Sequence, residues 1–157
     1  MAARDGDGWI QCQCGSKHWG KFGAAGILIF RESAAGGREI FLQHRAPWVH
    51  NGDTWGIPGG AKDSHESINE AALREAHEET GINPEHLNPL ALFSDDHGDW
   101  RYDTVLAAAA DDRLSADSPN DESQEMRWVP VDEVTLLTLH PSFAKTWSDL
   151  KVLLETL

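Results

Sequence analysis

Short segments in which apolar residues alternate with polar ones, or run together for a few positions, recur along the chain between glycine-rich turns. This pattern is typical of β-strands. The most apolar segment, GAAGILIFRE at 23–32, is predicted to lie in the centre of a sheet. Gly15-Ser16 after the first segment predicts a hairpin turn. The predicted strands are 8–14, 23–32, 38–46, 90–96, 101–110 and 125–131.

The segment 63–80 has the residues of an amphipathic helix. Asp63 is predicted to be its N-cap, with Glu66 completing a capping box. Gly81 supplies a C-terminal stop and Pro84 prevents continuation. A loop rich in Gly, Pro and Trp precedes this helix.

The C-terminal segment 140–157 predicts a second helix, because apolar residues recur at helical spacing. These residues are Phe143, Trp147, Leu150 and Leu154. The order strands, helix, strands, helix predicts an α/β fold, an α/β/α sandwich with a mixed central sheet. The 157 residues are expected to form a single domain, with 1–20 as an N-terminal strand and hairpin leader.

Acidic residues outnumber basic ones by 26 to 13, so the net charge is −13. This balance excludes the broad basic surface of a protein that binds DNA or RNA. The sequence contains no apolar run long enough to span a bilayer. The segment MAARDGDGWIQ lacks the apolar stretch of a secretory signal, so we expect a cytoplasmic protein without a membrane partner.

Cys12 and Cys14 are the two cysteines of the chain. Their separation disfavours a disulfide between them. Together with His18 they offer three zinc ligands, one fewer than a structural zinc site uses. Ordinary strand cysteines are therefore the favoured interpretation, with a metal site as the alternative.

The end of the first helix is unusually acidic. At about 100° per residue, Glu75, Glu78 and Glu79 fall on the same side as Ala71 and Ala72, which should face the protein. Three inward carboxylates need protons or cations to neutralise them, and Mg²⁺ or Mn²⁺ prefers such oxygen ligands. The alternative is a solvated acidic helix end.

Glu70 and Arg74 lie further round this helix, at the i, i+4 spacing of an ion pair.

The full spacing of the segment from Gly60 to Ile82 resembles the Nudix box, G-x5-E-x7-R-E-U-x-E-E-x-G-U, where U is a bulky apolar residue. Gly60, Glu66 and Arg74 match its first defined positions. The glutamates, Gly81 and Ile82 match the rest. Ala76 is a small residue at an apolar position. A match at so many positions is far more specific than a short glycine motif.

The resemblance implies a hydrolase that cleaves a nucleoside diphosphate linked to another group, with Mg²⁺ or Mn²⁺ as cofactor. It implies metal ligation by Glu78 and Glu79, by Glu75 as ligand or base, and by the carbonyl of Gly59. By the same resemblance Arg74 positions these glutamates and Glu66 supports the loop before the helix.

The resemblance also implies a further ligand or base from a late loop. Glu122 and Glu125 lie in that region and are candidates for this catalytic role. The alternative for each is a solvated loop carboxylate.

Four residues near the box are candidates for substrate binding. Trp48 and Trp55 flank the loop that enters the box, and a nucleotide base can stack on such rings. The alternative is that they close the sheet edge. Arg45 and Lys62 are candidate phosphate partners or plain surface cations.

The chain lacks the extra motifs that mark NADH pyrophosphatases, ADP-ribose pyrophosphatases and coenzyme A hydrolases. It therefore resembles most the MutT-type group, which acts on nucleoside triphosphates, including oxidised ones. ADP-ribose and dinucleoside polyphosphates are alternative substrates. A non-catalytic nucleotide sensor and a protein-binding domain are the rival functions. The expected partner is a small nucleotide, and a homodimer is a further expectation.

Overall fold

A computed structural model describes residues 5–110 and 123–157. Its helices are α1 (Ile68–Thr80) and α2 (Pro141–Leu154), with short 3₁₀ turns at Pro84–His86 and Val131–Leu136. The strands are β1 (Trp9–Gln11), β2 (Lys17–Trp19), β3 (Ala24–Glu32), β4 (Arg38–Arg45), β5 (Trp55–Gly56), β6 (Gly59–Ala61), β7 (Leu87–Asp96), β8 (Arg101–Ala109) and β9 (Ser123–Pro130).

The predicted strands are confirmed, with small differences at their ends. The loop before the first helix was predicted to have no strands, and this was wrong, because β5 and β6 form within it. Their backbones complete the ladders of β4 and β3. The sequence predicts an acidic loop at 111–124, of which 111–122 lie outside the described residues and the last two belong to β9.

The described residues contain a seven-stranded mixed sheet. Strand β3 pairs in parallel with β8 and antiparallel with β4 and β6. Strands β7 and β9 pair antiparallel with β8 and β4. The hairpin of β1 and β2 is a separate small sheet.

Side chains of β3 alternate between two apolar cores. Ala25, Ile27 and Ile29 belong to the core beneath α1. Leu28 and Phe30 point to the opposite face and pack with α2. Both faces of the sheet are thus covered, which confirms the α/β/α sandwich.

Helix α2 buries the four side chains that its spacing predicted, namely Phe143, Trp147, Leu150 and Leu154. His140 is its N-cap, and the Nδ1 atom of His140 accepts a hydrogen bond from the backbone N–H of Ser142 at 3.2 Å. Among the described residues, no helix is long and apolar enough to cross a membrane.

Helix α1 begins five residues later than predicted. Its N-cap is Ser67, and Ser67 and Glu70 form the capping box, with both hydrogen bonds at 3.1 Å. Asp63 and Glu66 instead fold a turn before the helix, where the Asp63 N–H donates to Glu66 Oε1 at 2.9 Å. The C-cap is confirmed: Gly81 adopts a left-handed conformation with φ of 77°.

Arg74 anchors α1 to this preceding turn. Its Nε and Nη2 atoms donate to the two carboxylate oxygens of Glu66 at 2.6 and 2.8 Å, and Nη2 also donates to the carbonyl of Ala61 at 3.1 Å. The predicted pair of Glu70 with Arg74 is wrong, because Glu70 caps the helix. Hydrogen bonding by Arg74 lowers the pKa of Glu66, and Glu66 raises that of Arg74 in return.

The chain before β3 is bound to the loop that precedes α1. The Gly6 N–H donates to Asp63 Oδ1 at 2.9 Å, and the Ser64 N–H donates to Asp5 Oδ1 at 2.8 Å. The leader is therefore attached to the domain on the side where the predicted site lies.

We expect Arg74→Lys to lower the free energy of unfolding by about 2–4 kcal/mol, because lysine has no planar fork and leaves the buried Glu66 carboxylate incompletely paired. Urea unfolding measures this change. Arg127→Lys is the matched control, because the side chains of Arg127 and of its partner Glu125 are both about half exposed, and it should change the free energy by less than about 1 kcal/mol. Equal effects of the two substitutions would contradict the role of Arg74.

We expect the N-cap of α2 to make stability depend on pH. Burial, then the charges of Arg45 and His50, lower the pKa of His140 below its ordinary 6.5. The unfolded chain therefore takes up this proton at higher pH than the folded one, and the free energy of unfolding falls as pH decreases below about 6.5.

His140→Asn should weaken this dependence, because asparagine caps a helix without titrating. Urea unfolding between about pH 7.5 and pH 5.5 measures it. His86→Asn, at an exposed position, should keep the wild-type slope. An unchanged slope in His140→Asn would refute the assignment.

Candidate active site

The acidic end of α1 presents its glutamates at three depths. Glu75 is buried, Glu79 is partly buried, and the Glu78 side chain is 45% exposed. The prediction that all three face inward is therefore wrong for Glu78. At about 100° per residue, Glu79 lies about 40° from Glu75, whereas Glu78 lies about 60° away on the other side.

The carboxylate of Glu79 is held by groups from two strands. Its Oε2 atom accepts hydrogen bonds from Gln43 Nε2 of β4 at 3.0 Å and from the backbone N–H of Gly59 of β6 at 3.1 Å. Gln43 is 5% exposed. Because both donors belong to the sheet, they fix the position of Glu79 relative to the loop that enters the helix.

Glu75 lies directly against Gly60. A Cβ atom on Gly60 would be 2.6–2.8 Å from the carboxyl atoms of Glu75, so any larger residue would displace this carboxylate. Arg74 Nη1 donates to Glu75 Oε1 at 2.8 Å and to Glu78 Oε2 at 3.2 Å. One guanidinium thus contacts the carboxylates of Glu66, Glu75 and Glu78, which offsets their mutual repulsion.

These residues suit a hard divalent cation. Three carboxylates and nearby glycine backbone provide oxygen ligands of the kind that Mg²⁺ and Mn²⁺ prefer. The space left by the absent Gly60 side chain is filled by a carboxylate, which places charge next to bare backbone. The donor set therefore fits the cation that the box resemblance implies.

Tyr102 is a site residue that the sequence did not reveal. A Cβ atom on Gly26 or Gly59 would lie 2.1 or 2.4 Å from its hydroxyl, so the phenol occupies the space beside both glycines. Burial, followed by the negative charges of Glu79 and Glu75, raises its pKa. Its hydroxyl therefore keeps its proton and can act as a hydrogen-bond donor.

A cavity of about 520 Å³ opens beside this set and is lined by Gln43, Gly59, Gly60 and Tyr102. This volume is typical of small-molecule sites. The glutamates do not line the cavity themselves, but the residues that contact Glu75 and Glu79 do. The N-terminal hairpin, defined here as residues 9–19, and the start of α2 form its other walls.

Arg45 is the one predicted substrate-binding residue among the described lining residues of the cavity, and its Nε atom donates to the carbonyl of His50 at 3.1 Å. Trp55 is 6% exposed, and its ring stacks on that of His44 with centroids 4.6 Å apart. The Cζ atom of Arg127 lies 4.8 Å from the centroid of the Trp55 ring. This position matches the alternative in which Trp55 closes the sheet. Trp48 is 73% exposed and does not line the cavity.

Lys62 and Glu125 are not among the described residues that line the cavity. Lys62 contacts the carbonyl of Asp63, with its Nζ atom at 3.3 Å. Glu125 is exposed and pairs with Arg127 at 3.0 Å. Glu122 lies outside the described residues.

Cys12, Cys14 and His18 come together at the turn of the N-terminal hairpin. Their ligand atoms lie within 4.8 Å of one another, and Cys14 Sγ is 3.1 Å from His18 Nε2. Cys12 is buried and Cys14 is exposed, and both follow the end of β1 at Gln11, so the interpretation as strand cysteines is wrong. Three ligands are one fewer than a structural zinc site uses.

Comparison with known proteins identifies the family. A sequence model described as the NUDIX domain matches residues 20–150 and thus begins directly after the hairpin. A Mycobacterium tuberculosis protein named "Putative 8-oxo-dGTP diphosphatase 3" is 44% identical over 153 residues, which cover 94% of this chain and 70% of that protein.

Two further relatives extend the comparison. The Bifidobacterium longum "Nucleoside triphosphate pyrophosphatase/Nudix hydrolase fusion protein" is 44% identical over 90% of this chain and 30% of its own length. The crystal structure of the Nudix hydrolase RenU from M. smegmatis is 42% identical, covers 97% of each chain and superimposes with a TM-score of 0.89. The sequence match, the shared fold and the carboxylate cluster on α1 together show that this chain belongs to the Nudix family and is a Nudix hydrolase.

Proposed function

We propose that this hydrolase is a metal-dependent pyrophosphohydrolase that converts a nucleoside triphosphate, including an oxidised one such as 8-oxo-dGTP, into the monophosphate and pyrophosphate. The observation that carries the proposal is the contact of Glu75 and Glu79 with the glycine strand β6, next to a nucleotide-sized cavity. The names of the M. tuberculosis and B. longum relatives support nucleotide substrates.

Glu75, Glu78 and Glu79, with the carbonyl of Gly59, would hold the divalent ion. When bound, Mg²⁺ or Mn²⁺ would neutralise charge on the diphosphate and lower the pKa of a bound water. Gln43 and the Gly59 N–H orient Glu79, and Arg74 orients Glu75. The ligands are thus held by hydrogen bonds from the sheet and from the helix itself.

The reaction needs a water oriented towards phosphorus and an acceptor for its proton. Glu75 and Glu79 are the carboxylates nearest the glycine strand, and either is suited to accept that proton. The Tyr102 hydroxyl, which lies beside Gly59, is suited to donate to a phosphate oxygen. Arg45 adds positive charge elsewhere along the cavity.

Glu122 and Glu125 stay candidates for an additional ligand or base. Glu125 lies on β9 opposite His44 and currently pairs with Arg127, so a catalytic role for it would require that pair to break. This makes Glu125 a weaker candidate than the glutamates of α1.

A substrate panel tests the proposed activity. With Mg²⁺ or Mn²⁺ we expect dGTP or 8-oxo-dGTP to yield the monophosphate and pyrophosphate, identified by mass analysis. A metal chelator should abolish turnover and added metal should restore it. Preferred cleavage of ADP-ribose or a dinucleoside polyphosphate would instead support the alternative substrates. Nucleotide binding without hydrolysis of any panel member would indicate a sensor.

Substitution of the helix glutamates tests their assignment. Glu79→Gln and Glu78→Gln should each lower kcat by about two to three orders of magnitude, because the amide carries no charge to bind the metal. Glu133→Gln, at an exposed position in the Val131–Leu136 turn, is the matched control and should keep wild-type turnover. Thermal melting of each variant checks the fold. Wild-type kcat in both helix variants would overturn the metal-ligand assignment.

A further inference from the structure

The N-terminal hairpin forms one wall of the cavity although it precedes the matched Nudix domain. Trp9, Lys17, His18 and Trp19 all line the cavity from this hairpin. Gly59, Gly60 and Gln43 also line this cavity, and they contact Glu75 and Glu79. The hairpin and the proposed reaction centre therefore face one continuous space.

Two exposed tryptophan side chains lie on the hairpin. Trp9 and Trp19 are cross-strand partners, and their ring centroids lie 5.2 Å apart in an edge-to-face arrangement with an interplanar angle of 74°. They are 63% and 44% exposed. Large aromatic surface left open in the wall of a cavity is available for stacking with a planar ligand.

The wall is held firmly against the rest of the domain. The ring of His18 stacks on Trp100, with centroids 4.1 Å apart and planes within 6°. The Gln13 N–H donates to Asp99 Oδ2 at 2.8 Å. The Cys12 sulfur contacts the carbonyl of His97 at 3.2 Å. These contacts bind the hairpin to the turn between β7 and β8, so the two tryptophans have a defined position before a ligand arrives.

The cavity has two kinds of surface, which differ in charge. The α1 side places carboxylates next to β6, which suits metal and phosphate groups. The hairpin side presents indole rings with Lys17, and this side suits an aromatic group that carries polar edges. A nucleotide contains a group for each surface, a diphosphate for the first and a base for the second.

We propose that the N-terminal hairpin binds the base of the nucleotide substrate, by stacking on Trp9 and Trp19, while the diphosphate lies at β6 and the end of α1. This assignment rests on the proposed nucleotide hydrolysis. It makes the hairpin the element that selects substrates, and it relocates base stacking from the loop of Trp48 and Trp55 to residues outside the matched domain.

Binding measurements on hairpin variants test the proposal. The variants are Trp9→Ala, Trp19→Ala, the double variant and Trp48→Ala, which removes an exposed ring that does not line the cavity. Calorimetry with Mg²⁺ measures the Kd of 8-oxo-dGMP, dGMP and pyrophosphate. The double variant should bind the monophosphates about 5- to 150-fold more weakly, the range expected from loss of base stacking. Its affinity for pyrophosphate should not change, because pyrophosphate has no base.

Steady-state kinetics provide a second readout. The hairpin variants should raise KM for the nucleotide, with a smaller effect on kcat, and Trp9→Phe with Trp19→Phe should restore most of the affinity because phenylalanine also stacks. Equal loss of pyrophosphate affinity would show that the hairpin only shapes the site, and would overturn the proposal. Weaker nucleotide binding in Trp48→Ala alone would assign the base to the other loop and overturn it as well.

The test separates this proposal from the proposed activity. If the wild-type protein hydrolyses nucleotides and the hairpin variants keep their KM, the base assignment fails and the activity stands. If the wild-type protein binds nucleotides without hydrolysing them, and the hairpin variants bind them more weakly, the activity fails and the base assignment stands. A dimer seen by sedimentation that the hairpin variants dissociate, with unchanged nucleotide affinity, would make the rings a subunit interface and refute the proposal.

Discussion

The site depends on one guanidinium. Arg74 contacts the carboxylates of Glu66, Glu75 and Glu78, and it also binds the carbonyl of Ala61. Without a cation at this position, acidic side chains on adjacent turns of one helix would repel each other and the preceding turn would separate from the helix. The Nε and Nη2 atoms of its planar guanidinium bind the two carboxylate oxygens of Glu66, while Nη1 donates to Glu75. A lysine ammonium does not have this geometry.

The second constraint is the close approach of backbone to side chain along β6. Gly59 pairs with Gly26 across the ladder, and the Tyr102 hydroxyl occupies the space beside both. Gly60 leaves room for the carboxylate of Glu75. The glycines therefore serve to bring charged and hydroxyl groups against exposed main chain, where a side chain would have excluded them.

These two features lie in the part of the molecule that carries the acidic cluster, and the hairpin is a separate wall of the same cavity. The cores on both sides of the sheet hold α1 and α2 in place. The N-terminal hairpin is attached through the turn between β7 and β8, and Gly6, which precedes the hairpin, binds the loop before α1. The hairpin and β6 line the same cavity.

Local sequence determined much of this structure. The apolar run in 23–32 predicted a central strand, the spacing of Phe143, Trp147 and Leu150 predicted the buried face of α2, and Gly81 marked the end of α1. The box spacing identified the glutamates and Arg74. Each of these depends on residues within a few turns of one another, so the sequence contains the whole determinant.

Tertiary structure alone decided which distant groups meet. Asp63 was the predicted N-cap, whereas the structure uses Ser67, and Glu66 binds Arg74 in the turn before the helix. The contacts of Gln43 and Tyr102 at the site depend on how β3 pairs with its neighbouring strands. The tryptophans that line the cavity depend on where the hairpin docks. Strand register joins residues far apart in the chain, and no local spacing encodes which partner a strand selects.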